Sequence, residues 1–155
     1  MNKKEKYREL LQQVEGLIAD EHLEVSVLAN VSAAIKETMG FFWVGFYLVH
    51  NGELVLGPFQ GSPACYHIQK GRGVCGTAWA EGRTVVVKDV EEFPGHIACS
   101  HLSRSEIVVP LFDNKGVMRS ELDIDSTEVG TFDEVDKEGL EKICEAVARQ
   151  LYQRD

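Results

Sequence analysis

The sequence has no apolar run long enough to cross a bilayer as a helix. No apolar leader follows the opening Met1-Asn2-Lys3-Lys4 either, so a cytoplasmic chain without an export signal is expected. Basic residues are scarce: 16 Lys and Arg stand against 25 Asp and Glu, a formal net charge of −9. That charge repels phosphate, so neither nucleic acid nor an anionic membrane surface is an expected partner. Internal repeats, low-complexity tracts and linkers are absent, which leaves 155 residues as one domain. A domain of that size buries about two-thirds of its unfolded surface without covalent staples. Cysteine is sparse as well, at four residues. In a reducing compartment any disulfide among them would be transient and catalytic rather than architectural.

What the sequence does have is clear periodicity. Apolar residues recur at helical spacing over 4–20 (Tyr7, Leu10, Leu11, Val14, Leu17/Ile18) and over 23–39 (Val25, Val27, Leu28, Val31, Ala34/Ile35), with Gly40 as a C-cap. An aromatic and β-branched stretch, 41–49, leads into Asn51-Gly52, a hairpin turn signal, and 53–57 should return antiparallel. Residues 61–76 are rich in turn formers, a short helical segment lies around 77–81, and 84–87 reads as a strand. Residues 91–105 show no period and read as a loop. Two more strands, 106–112 and 117–125, flank the turn Asp113-Asn114-Lys115-Gly116. A capping box Thr131-Phe132-Asp133-Glu134 opens a last helix that runs to the C-terminus. The pattern predicts an α+β domain. Helices 1–39 and 131–155 cover one face of an antiparallel sheet built from 41–126, and irregular segments roof a pocket on the other.

Two groups of residues carry chemistry. In Leu122-Asp123-Ile124-Asp125 strand alternation points both acids to one face, roughly 7 Å apart, and the neighbouring strand opens with a third acid, Glu106. On an open edge these would be solvated carboxylates. Gathered on the roofed face they would repel, raise at least one pKa and supply a proton donor near neutrality, or hold an ammonium group. Trp43 and Tyr47, four apart, share a strand face. They are core if that face points to the helices and a pocket wall if it is the face of the acids.

The cysteines divide. Cys144 sits in the apolar stripe of the last helix and reads as a small core residue, whereas Cys65, Cys75 and Cys99 fall in polar, turn-rich contexts. Their separations of ten and twenty-four residues match no zinc signature, although His67, His96 and His101 lie nearby. Inert buried thiols, a metal site and a redox relay remain the three readings.

The phrases that hold these residues resemble the free methionine-(R)-sulfoxide reductases, which are built on a GAF domain. The resemblance rests on Trp43-Val44-Gly45-Phe46-Tyr47, on 54–61, on Gly71-Arg72-Gly73-Val74-Cys75-Gly76-Thr77-Ala78, and on Phe93-Pro94-Gly95-His96-Ile97-Ala98-Cys99. It continues through 105–110 and Leu122-Asp123-Ile124-Asp125-Ser126, in order along nearly the whole chain after residue 43. The resemblance implies a single GAF-like domain in which Cys99 is the nucleophile, Cys65 the resolving thiol and Cys75 an auxiliary thiol. It also implies that Glu106, Asp123 and Asp125 hold the sulfoxide oxygen and that Trp43 and Tyr47 enclose the S-methyl end. Thioredoxin would be the reductant, no metal or organic cofactor would be required, and a homodimer is expected.

Two stretches depart from that pattern. Arg119-Ser120-Glu121 stands where Ile-Gly-Val is usual, and Ser100-His101-Leu102 replaces an acidic-small-small run. Neither removes a proposed catalytic group. The competing function is a non-catalytic GAF-type module that binds a small ligand or senses redox state. The joint presence of three cysteines and three acids favours the enzyme, because binding alone needs no nucleophile with a resolver.

Overall fold

The computed structural model describes residues 1–96 and 99–153. Ile97 and Ala98 of the Cys99 motif, and the last two positions of the expected C-terminal helix, lie outside the described residues. Two helices come first, α1 (Lys3–Ile18) and α2 (Glu24–Met39), followed by the hairpin β1 (Trp43–His50) and β2 (Glu53–Gln60). Then come the short β3 (His67–Ile68), α3 (Gly73–Glu81), β4 (Val85–Val87) and a 3₁₀ turn at Val90–Glu92. The chain finishes with β5 (Ser105–Phe112), β6 (Met118–Ser126) and α4 (Glu134–Tyr152).

Local chemistry explains the joints. Gly40 takes φ 71° and its N–H closes α2 onto the Lys36 carbonyl at 2.8 Å. Asn51 and Gly52 both adopt positive φ, the backbone that a two-residue turn needs to match strand twist, and His50 pairs with Glu53 across it. All strand pairs are antiparallel, in one six-stranded sheet of order β3-β2-β1-β6-β5-β4.

Alternation sorts the strands into two cores. Val44, Phe46, Ile107, Val109, Leu111, Leu122 and Ile124 pack with the apolar stripes of α1, α2 and α4. Trp43, Tyr47, Val108 and Met118 face the other way, against α3 and the loops. The α+β sandwich expected from the pattern is therefore present, with one refinement: a helix, α3, forms part of the roof along with irregular segments.

The start of α4 corrects the sequence reading. The cap is Asp133, two residues beyond Thr131, with its side chain accepting from the Val135 and Asp136 N–H groups and Asp136 Oδ2 accepting from the Asp133 N–H. Asp136 is fixed there by the Tyr7 hydroxyl at 2.6 Å and Lys3 Nζ at 2.7 Å. Thr131 instead hydrogen-bonds Ser126. Tertiary partners of Asp136 set the helix start two residues beyond the Thr131 capping box expected from the sequence. Val25 also departs from its expected helix stripe: it is exposed.

Candidate active site

Three central strands build the floor. Because side chains alternate, the face of β6 that buries Leu122 and Ile124 against the helices sends Glu121, Asp123 and Asp125 to the opposite side. On β1 the same face carries Trp43, Gly45 and Tyr47, in register with Asp125, Asp123 and Glu121 respectively. On β5, Glu106 stands beside Asp125. The three expected acids thus share one floor with Trp43 and Tyr47, which form the pocket wall. Trp43 stacks on Phe59 at 5.1 Å and lies 6.3 Å from Tyr47, ring to ring.

The roof holds the thiols. Cys65 and Cys99, on separate loops, are joined as a disulfide with their Cα atoms 5.4 Å apart, an ordinary separation. Both aromatic wall residues reach up to the Cys65 loop. Trp43 Nε1 donates to the Ser62 carbonyl at 2.8 Å, and the Tyr47 hydroxyl donates to the Cys65 carbonyl at 2.9 Å. The expectation that Cys75 lies in a turn is corrected: it sits in the first turn of α3, is 3% exposed, and points its thiol at Glu106 Oε2, 3.9 Å away. Cys144 is buried in the helix-side core, as its stripe position implied.

Between floor and roof lies a cavity of about 40 Å³, lined by Trp43, Tyr47, Cys75, Cys99, Glu106 and Asp123 among others. That space is room for a few water-sized groups. Cys75 Sγ, a Glu106 oxygen and an Asp123 oxygen lie within 4.8 Å of one another. Of the three histidines near the cysteines in sequence, only His96 lines the cavity, with Nε2 3.9 Å from Glu106 Oε1. His67 pairs with Glu53 on the surface.

Burial governs the electrostatics here. It pushes the Glu106 carboxyl well above the usual range, with Asp123 and Asp125 pushing the same way. Asp125 and Glu121 are likewise raised by burial first and by Asp123 second. Asp123 is raised by burial too, but the hydrogen bond from Glu106, the Cys75 thiol and His96 all oppose the rise. We therefore assign the proton of the Glu106–Asp123 pair to Glu106, which donates to Asp123. Burial, reinforced by the charges of Asp123, Glu121, Glu106 and Asp125, holds Cys75 as a neutral thiol. Burial lowers His96 against the pull of Asp123, so its ring is neutral at neutral pH. Around an ionised Asp123, the floor acids Glu106, Asp125 and Glu121 keep protons that free carboxylates have lost, beneath a disulfide.

Two groups were not singled out from sequence: His96, which lines the cavity, and Glu121, which shares the strand face of Asp123. Glu121 was noted only as a departure, although extending the strand alternation two residues back from Asp123 places it on the acid face. His96 carried no signal beyond its nearness to Cys99 in the chain.

A family model described as GAF domain matches residues 22–151. The free methionine-R-sulfoxide reductase of Escherichia coli K12 is 44% identical over 156 aligned residues, covering 100% of this chain and 94% of that protein. This chain belongs to the GAF-domain free methionine-R-sulfoxide reductases. Also similar to this reductase family member is GAF domain-containing protein A of Dictyostelium discoideum, at 56% identity over 92% of this chain and 90% of that one. Among solved structures, the Neisseria meningitidis free methionine-R-sulfoxide reductase in complex with its substrate superposes with a TM-score of 0.94 at 53% identity. That match covers 97% of this chain and 90% of the other.

Proposed function

We propose that this chain reduces free methionine-(R)-sulfoxide to methionine with its own thiols. The observation that carries the reading is a Cys65–Cys99 disulfide set over a floor of buried, proton-holding carboxyls. A binding module has no use for that pair. In the reduced protein the Cys99 thiolate attacks the sulfoxide sulfur, while Glu106 gives its proton to the sulfoxide oxygen. Asp123 and Asp125 hold that oxygen, and the Trp43 and Tyr47 rings enclose the methyl end. Methionine leaves and Cys99 becomes a sulfenic acid. The Cys65 thiol then attacks the Cys99 sulfur, forming the disulfide and releasing water. A dithiol of the thioredoxin class restores both thiols by exchange, becoming a disulfide itself. Cys75, held neutral and buried, serves as an auxiliary thiol. We place the protein in the cytoplasm as a homodimer, on the resemblance to its family; among the described residues no helix is long and apolar enough to cross a membrane.

The test is a single turnover without reductant, beginning from fully reduced protein. Wild type should release one methionine per chain and lose two thiols. Cys65→Ser should release the same methionine yet leave Cys99 as a sulfenic acid that a dimedone probe traps. Cys99→Ser should release none. Methionine release by Cys99→Ser at the wild-type rate would refute the mechanism.

A further inference from the structure

The floor of the pocket carries a converging donor set, two members of which, Glu106 and Asp123, also serve the proposed reaction. Cys75 Sγ, a Glu106 oxygen and an Asp123 oxygen converge within 4.8 Å, all buried, with Cys75 Sγ 3.9 Å from Glu106 Oε2. A second, independent observation concerns Asp123 itself and the next acid on its strand face. Asp123 Oδ1 and both oxygens of Glu121 are buried without a hydrogen-bond partner, and Glu121 is 0% exposed. Native proteins rarely leave such atoms orphaned. Glu121 lies on the same strand face as Asp123, and Cys75 and Asp123 are the groups that act on its carboxyl. Among the ion pairs of the described residues, none brings a Lys or Arg to Glu106, Glu121, Asp123 or Asp125.

We propose that Cys75, Glu106 and Asp123, with Glu121 completing the set, bind a thiophilic divalent cation, zinc in the first place, which closes the pocket to substrate. The consequence for turnover rests on the reductase reading; the binding itself does not. A four-coordinate zinc with Zn–S of about 2.3 Å and Zn–O of about 2.1 Å spaces its donors roughly 3.4–3.6 Å apart. The Cys75, Glu106 and Asp123 donors, within 4.8 Å of one another, reach that range when their separations close by roughly 1.4 Å or less. One sulfur with three carboxylates suits zinc, cobalt or cadmium; magnesium prefers an octahedral all-oxygen shell rich in water. Cys75, Glu106 and Asp123 line the open cavity, so the ion has an entry path. On binding, the metal displaces the Cys75 thiol proton and the Glu106 and Glu121 carboxyl protons, so three protons are released per ion and affinity rises with pH.

Cobalt(II) tests this on the oxidised protein. With Cys65 and Cys99 bonded, only Cys75 and Cys144 are free, and Cys144 lies in the core on the far side of the sheet. Wild type should develop a thiolate-to-cobalt charge-transfer band that one equivalent of zinc abolishes. The band should vanish in Cys75→Ser and persist in Cys144→Ser. Glu121→Val removes no proposed catalytic group and should weaken cobalt binding at least tenfold, which keeps the test sound if Cys75→Ser misfolds. A wild type with no band, a band that survives Cys75→Ser, or unchanged affinity in Glu121→Val would each overturn the proposal. Zinc that binds to the reduced enzyme without slowing turnover would overturn the pocket-closing part. Because the spectra use no methionine sulfoxide, their failure is distinct from failure of the reductase reading.

Discussion

Replacing Glu121 by valine should stabilise the protein, and the gain should grow with pH. Glu121 is sealed between Tyr47 of β1 and Pro110 of β5, and neither of its oxygens has a partner. Burial first, and the Asp123 charge second, raise its carboxyl well above 4.5, with the nearby Cys75 thiol offsetting a part. The native chain therefore keeps a proton that the unfolded chain sheds above about pH 4.5. Stability linked to this group is complete below that pH and declines as pH rises towards the folded-state value. Each pH unit in that window costs up to about 1.4 kcal/mol, the limit for one proton held by the native chain and shed by the unfolded one. At roughly 2–4 °C per kcal/mol for a chain of this size, that limit is roughly 3–6 °C of Tm per pH unit. Valine, of similar volume, carries no such dependence. Urea and thermal denaturation of both proteins, with the disulfide state matched, should show the variant's advantage widening by up to about 1.4 kcal/mol per pH unit. A variant less stable at pH 7.5, or an advantage that ignores pH, would refute the assignment of a bound proton to Glu121.

Tyr47→Phe keeps the ring and deletes only the hydroxyl that holds the Cys65 carbonyl. At about 1 kcal/mol for one hydrogen bond, disulfide formation should slow roughly fivefold. Methionine release in the first turnover should be unchanged, as read by quenched-flow thiol counting. Asp136→Ala removes the acceptor of Tyr7, Lys3 and the Asp133 N–H at once. It should cost roughly 3 kcal/mol in urea denaturation, because a buried hydroxyl and a helix cap both lose their partner. Since α1 and α4 lie on the far side of the sheet, kcat/KM should not change.

How much of this was legible in the sequence depended on whether a residue's partners were local. Asn51-Gly52 and Gly40 need only their own backbone angles, and both were readable. Strand alternation alone placed Asp123 and Asp125 on one face, and Glu106 joins them because β5 pairs with β6 in that register. Cys75 was misplaced because α3 opens on Gly-Val-Cys-Gly with no side-chain cap, which reads as a turn. Gly76 is there for packing: a Cβ would meet the Gln69 carbonyl at 2.5 Å. The two-residue β3 exists only through its ladder with β2, a contact that no local pattern announces. The Cys65–Cys99 pairing spans 34 residues, and the family resemblance, rather than spacing, named it.

The aromatic wall also carries the resolving loop. The Trp43 indole lies over Gly45, where a Cβ would meet its Cη2 at 2.6 Å, so only glycine lets the ring settle against β1. From that seat its Nε1 holds Ser62, and Tyr47 holds Cys65. Each hydrogen bond is worth about 1 kcal/mol net, so once the disulfide is reduced the loop is secured by about 2 kcal/mol at these two points. Burying a single methyl-sized group contributes about 0.8 kcal/mol. The two scales are comparable, so a ligand that presses on the ring pair competes directly with the anchoring of Cys65. Pocket occupancy and delivery of the resolving thiol are therefore one mechanical problem in this fold, and the Tyr47→Phe variant separates them because it loosens the loop while leaving the wall in place.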